Sequence, residues 1–168
     1  MIDSLKYIGL AIVLAFFQAF IIQQVDLGFW LFPMPYLYLF FVLPINFNRF
    51  GYLFLAFVFG TIVDFLSGSF GTHAASCVAM VFAKNFIDER FIDFESLQLQ
   101  GEQYLNTQSK GLLTFFYFSL SLIAIHHLVF FTLDYFEWRL TFHVILTTIV
   151  SSLGSFLLIL MYKGIFGR

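Results

Sequence analysis

Six apolar stretches divide this chain, and each approaches the length that a helix needs to cross a lipid bilayer. A transmembrane helix requires about 20 apolar residues, with a tolerated range of roughly 17–25. Backbone polar groups in lipid must be satisfied within the segment, so stretches of this kind predict helices. We therefore predict an all-α, polytopic membrane protein with one domain, residues 1–168, that forms a six-transmembrane-helix bundle. The predicted spans are residues 5–22, 29–45, 51–66, 72–87, 112–133 and 140–162.

The composition agrees with a membrane protein and disfavours several other classes. The chain is 61% hydrophobic and 11% charged, whereas soluble domains average about 45–50% apolar and about 25% charged residues. A single cysteine, Cys77, excludes an internal disulfide. The net charge of −2 gives no basis for nucleic-acid binding. The first apolar stretch is long for a signal peptide and lacks a cleavage site after it, so we expect no cleaved leader.

The distribution of Lys and Arg predicts the orientation in the membrane. If the N-terminus is cytoplasmic, the external links hold Arg139, and the other seven basic residues fall on the cytoplasmic side. By the positive-inside rule, both termini are then cytoplasmic. The alternative is a re-entrant second stretch, which would leave five spans and spoil this bias. The seven are Lys6, Arg49, Lys84, Arg90, Lys110, Lys163 and Arg168.

The second stretch and the longest polar stretch each leave a question open. Pro33 and Pro35 lie near the start of the second stretch, where a helix tolerates proline in its first turn. The polar residues 88–111 interleave acidic and large apolar side chains. They are either a solvated linker or a helix on the membrane surface, although surface helices usually have basic faces.

Asp64 and a pattern of small residues predict a tight helical hairpin. A carboxylate within a span costs about 2.5–3.5 kcal/mol on the insertion scale, so Asp64 needs a partner. Small residues at every fourth position let two helices approach closely. We therefore expect the third and fourth spans to pack tightly, with a turn near residues 67–72. The two predicted stripes are Ala56, Gly60, Asp64 and Gly68, and Gly71, Ala75, Ala79 and Ala83.

The same hairpin suggests two interpretations of Asp64. Its carboxylate is expected near the first residues of the fourth span, whose free N–H groups carry partial positive charge. His73 offers a further donor. Asp64 then either fixes the turn or contacts a partner helix or ligand directly.

A polar stripe in the last span also allows two interpretations. Thr147, Ser151 and Ser155 recur every four residues, and hydroxyls at this spacing can bond across helices. The stripe is either internal packing or a candidate groove for the single transmembrane helix of a partner.

No catalytic motif is present, so we predict a protein that is not an enzyme and has no catalytic residues, cofactor or metal. The histidines are His73, His126, His127 and His143. Together with Asp64 they fall in the external half of the spans, and imidazole and carboxylate groups suit zinc. However, adjacent residues cannot face one point on a helix, which favours hydrogen bonding between helices or exposure at the membrane interface.

The hairpin resembles a known family. Its pattern, Phe59-Gly60-x-x-x-Asp64-x-x-Ser67-Gly68-x-x-Gly71-x-His73-Ala74, is similar to the signature of MreD, the rod shape-determining membrane protein family of bacteria. The length and the predicted number of spans also fit that family. The resemblance implies Gly60, Asp64, Gly68, Gly71 and His73 as the family motif.

The resemblance also implies a function. MreD proteins are taken to be scaffolds in the inner membrane that organise side-wall peptidoglycan synthesis, and their bundle is similar to the substrate-binding subunits of energy-coupling-factor vitamin transporters. The expected partner is an MreC-like single-span protein, and through it MreB filaments, RodA and its transpeptidase. The alternative is a substrate-binding subunit of a small-molecule transporter, which needs an external pocket with converging polar groups. The sequence indicates few such groups besides Asp64 and the histidines.

Overall fold

The computed structural model describes residues 2–28, 30–43, 48–91, 112–137 and 141–166. Over these residues the protein is all-α and has no β-strand, as the sequence predicts. Two short 3₁₀ helices cover Ile22–Gln24 and Pro35–Leu37. The α-helices are α1 (Ile2–Phe20), α2 (Tyr38–Val42), α3 (Arg49–Ser67), α4 (Thr72–Phe91), α5 (Leu112–Tyr135) and α6 (Thr141–Phe166).

Four of these helices, α1, α3, α5 and α6, are long and apolar enough to cross a membrane. Their outward faces carry large apolar side chains, as lipid contact requires; Ile8, Ile12 and Phe16 of α1 are examples. The protein is therefore a helical membrane protein. Helix α4 has 20 residues but is less apolar, and the count of six spans stays a prediction.

The second predicted span differs from a regular helix. Residues 31–34 are non-helical, and helical structure covers only residues 35–42 of the described part. Pro33 and Pro35 explain this, because each lacks an N–H and disfavours helical geometry in the residue before it. Met34, which precedes Pro35, accordingly has φ −126° and ψ 74°.

This segment nevertheless runs along the length of α6. The Trp30 ring lies 4.4 Å from the His143 ring, and the Tyr38 ring lies 4.6 Å from the Tyr162 ring. At a rise of about 1.5 Å per residue, His143 and Tyr162 are roughly 28 Å apart along the helix. That distance is close to the roughly 30 Å thickness of the hydrocarbon core of a bilayer, which favours a full crossing over a re-entrant loop.

The predicted α3–α4 hairpin is present, with its turn where the sequence places it. Helix α3 ends at Ser67, and Gly68 follows in the left-handed conformation with φ 70°. Gly71 also has a positive φ, 84°. A Cβ atom on Gly60 would lie 2.5 Å from the Cα atom of Ala74, so the close approach predicted for the first stripe is confirmed.

The second stripe was predicted on the wrong face of α4. Ala75 is exposed and Ala79 is half-buried, whereas Ala74 and Cys77 are buried against the bundle. The prediction started the stripe at Gly71, but that residue belongs to the turn and not to the helix. The contact face therefore starts at His73 and Ala74, and the small residues after Gly71 line a shallow groove on the outside of the hairpin.

The second 3₁₀ helix and α2, which follows it directly, lie in the centre of the molecule. Tyr36, Leu37, Leu39 and Phe40 are at most 1% exposed. The Tyr52 hydroxyl of α3 donates a hydrogen bond to the Phe40 carbonyl, at 3.1 Å, and so satisfies an acceptor at the end of α2.

Some predicted features lie outside the described residues. They include residue 29 and residues 44–47 at the two ends of the second predicted span, the polar stretch from residue 92 to 111, residues 138–140 of the last link, and Arg168. The predicted ends of the other spans agree with the helices to within a few residues.

Candidate functional site

Asp64 is held by donors from the turn and from the start of α4. Its Oδ1 atom accepts from the Ser69 hydroxyl at 2.6 Å, the His73 backbone N–H at 3.0 Å and His73 Nδ1 at 3.1 Å. Its Oδ2 atom accepts from the Ala74 backbone N–H at 2.9 Å. The predicted contacts with the helix N-terminus and with His73 are thus confirmed.

Each of the five predicted motif residues has a part in this arrangement. Gly60 has no side chain, so Ala74 comes close enough for its N–H to reach Asp64. Gly68 and Gly71 supply the two positive φ angles of the turn, which other residues rarely adopt. The free N–H groups and the helix dipole both stabilise the carboxylate. We refer to Gly60, Asp64, Gly68, Gly71 and His73 as the hairpin lock.

The hydrogen bond to Asp64 also identifies the donor nitrogen of the His73 ring. A carboxylate accepts only, so Nδ1 must carry the proton that lies between the ring and Asp64. The other ring nitrogen, Nε2, has no hydrogen-bond partner among the described residues. The His73 ring packs edge-on against the Phe130 ring, and the two ring centroids are 4.7 Å apart.

The other buried histidines bond across helices, as predicted. His126 Nε2 lies 2.9 Å from the Tyr36 hydroxyl. His127 contacts Ser155 Oγ through Nε2, at 3.1 Å, and its Nδ1 bonds the Ile123 carbonyl. The two adjacent rings therefore serve different neighbours. In the described part of the chain, no three His, Cys, Asp or Glu groups come together as a metal site would require.

The serines of the polar stripe bind the non-helical segment of this same chain. Ser151 Oγ accepts from the Phe32 N–H at 2.9 Å, and Ser155 Oγ accepts from the Met34 N–H at 2.8 Å. Irregular backbone at membrane depth needs partners of this kind, because lipid offers none.

The interpretation of the stripe as a groove for a partner helix is therefore wrong. Thr147, Ser151 and Ser155 are fully buried, with 0% exposure. Internal packing, the other interpretation, is confirmed. The physical reason is that the prolines leave backbone donors free, and the hydroxyls are the acceptors within reach.

A cavity of about 870 Å³ opens at the end of the bundle that contains the 67–72 turn, which we call the turn end. Four parts of the chain meet there: the end of α1 with the loop after it, residues 31–34, residues 67–73, and residues 130–135 of α5. Small-molecule sites typically measure roughly 300–1,000 Å³.

Four buried polar atoms of the residues around this cavity have no partner in the described part of the chain: Gln18 Oε1, Ser67 Oγ, Thr72 Oγ1 and His73 Nε2. Leaving one such atom unsatisfied costs about 1–3 kcal/mol.

No family model, curated protein or solved structure matches this chain. Its function must therefore be argued from the geometry above and from the residue pattern.

Sequence reasoning identified the hairpin lock and missed the cavity. The structure brings the five residues of the lock together, whereas the α6 hydroxyls serve a different part of the bundle. The available signal for the cavity was Gln18, a polar residue within the first apolar stretch. Nothing in the sequence indicated that α1 would place it beside residues 67–73.

Proposed function

We propose that this protein is a non-enzymatic membrane scaffold of the bacterial cell-shape machinery, related to MreD. It resides in the inner membrane with both termini in the cytoplasm. It binds an MreC-like single-span protein and thereby helps to organise peptidoglycan synthesis. The observation that carries this proposal is that the residues of the MreD-like pattern form one hydrogen-bonded and closely packed unit, the hairpin lock.

The hairpin lock supports a relationship to the MreD family better than the same residue types would if they were unconnected in the structure. Glycine and aspartate are common at helix turns, so each residue has little weight separately. Here Gly60 allows the approach that lets Ala74 bond Asp64, and His73 completes the contact. A pattern whose members depend on one another in this way is expected when the whole pattern serves one structure.

The same geometry suits a scaffold. A carboxylate held by four donors makes the hairpin rigid, and a rigid hairpin presents fixed helix surfaces to neighbours in the membrane. The serine stripe is occupied by residues 30–34, so the MreC-like partner must contact a lipid-facing surface. MreB filaments, RodA and its transpeptidase are reached through that partner.

Co-purification tests the proposal. The full chain is expressed with the MreC-like protein of the same genome and, separately, with an unrelated single-span protein of the same orientation. We expect the MreC-like protein to remain bound through detergent extraction and the unrelated protein to be lost. Equal retention of both, or loss of both, contradicts the scaffold role.

A second candidate function is a substrate-binding subunit of a small-molecule transporter. The cavity at the turn end favours it, because its volume of about 870 Å³ suits a small ligand. The same co-purification separates the two functions: a transport subunit would retain an ATPase pair and not an MreC-like protein.

A further inference from the structure

We draw no further inference here: the strongest candidate, the shallow apolar groove on the outside of the α3–α4 hairpin that Thr61, Ala75 and Phe82 line, carries nothing because nothing in the structure shows what covers it.

Discussion

The Asp64 carboxylate lies within an apolar helix and accepts hydrogen bonds from four donors. Two are backbone N–H groups of the first turn of α4, and two are the side chains of Ser69 and His73. The group is 5% exposed, so nearly all of its solvation comes from these contacts. Its charge is therefore an internal part of the hairpin and not a contact offered to a partner, which supports the first of the two interpretations of this residue.

Substitution of Asp64 by Asn should destabilise the protein. The amide keeps one acceptor oxygen and places an NH₂ group against donors that now have no acceptor. We expect a loss of about 1–3 kcal/mol, the cost of one unsatisfied buried group, measured as a lower melting temperature in detergent. Thr61→Val is the control, because its exposed hydroxyl bonds only the Phe57 carbonyl of its own helix. Equal stability of Asp64→Asn and Thr61→Val would refute the hydrogen-bonded lock.

The sequence predicted part of this site for a clear reason. A carboxylate in an apolar run must find donors, and the nearest free donors are those at the start of the next helix. That argument identified Asp64, His73 and the first N–H groups of α4. Ser69 was missed because its contact depends on the path of the turn, and Gln18 was missed because nothing in the sequence fixes how α1 packs.

At the level of elements, the non-helical segment and α6 form one structure. Pro33 and Pro35 are visible in the sequence, and so are the hydroxyls of α6. Their pairing could not be predicted, because the hydrogen bonds join residues 119 and 121 positions apart. The spacing of apolar and polar residues predicts each helix separately. It says little about which distant part of the chain hydrogen-bonds to that helix.

Three glycine-to-alanine variants test the packing of the helices. At Gly60 the new Cβ would meet the backbone of α4, which cannot move aside, so we expect a loss of about 1–3 kcal/mol. At Gly154 it would meet the end of the flexible Leu31 side chain, so a smaller loss is expected. At Gly9 it would meet nothing within 4 Å, and helix propensity should make the change neutral or stabilising.

The order of melting temperatures is the measurement: Gly9→Ala highest, Gly154→Ala intermediate, Gly60→Ala lowest. If Gly60→Ala were as stable as Gly9→Ala, the close approach of α3 and α4 would be wrong.

At the level of the whole molecule, the loop after α1, the α3–α4 turn and the end of α5 meet at the turn end. This arrangement agrees with the alternating topology that the basic residues indicate. One of those residues lies inside the bundle: Lys84 is 5% exposed, with its amine 5.1 Å from the centre of the Tyr52 ring. The orientation therefore depends on the remaining basic residues.

Cysteine labelling in intact cells tests the orientation. Cys77 is fully buried, so the unmodified protein should give no signal with a membrane-impermeant maleimide. We expect labelling from outside at Leu27→Cys and Phe70→Cys, both at the turn end and exposed. Asn48→Cys and Gln103→Cys should react only after the membrane is permeabilised. Labelling of Gln103→Cys in intact cells would rule out six spans with cytoplasmic termini.

The hydrogen bonds between residues 30–34 and α6 also set an order of events during synthesis. The proline-containing segment leaves the ribosome about 120 residues before the serines that satisfy it, which corresponds to roughly 6–24 s of translation at about 5–20 residues per second. Throughout that interval its backbone donors would be unsatisfied in lipid. The segment must therefore wait beside the translocon or at the water interface, and it enters the bundle after the last helix has been made.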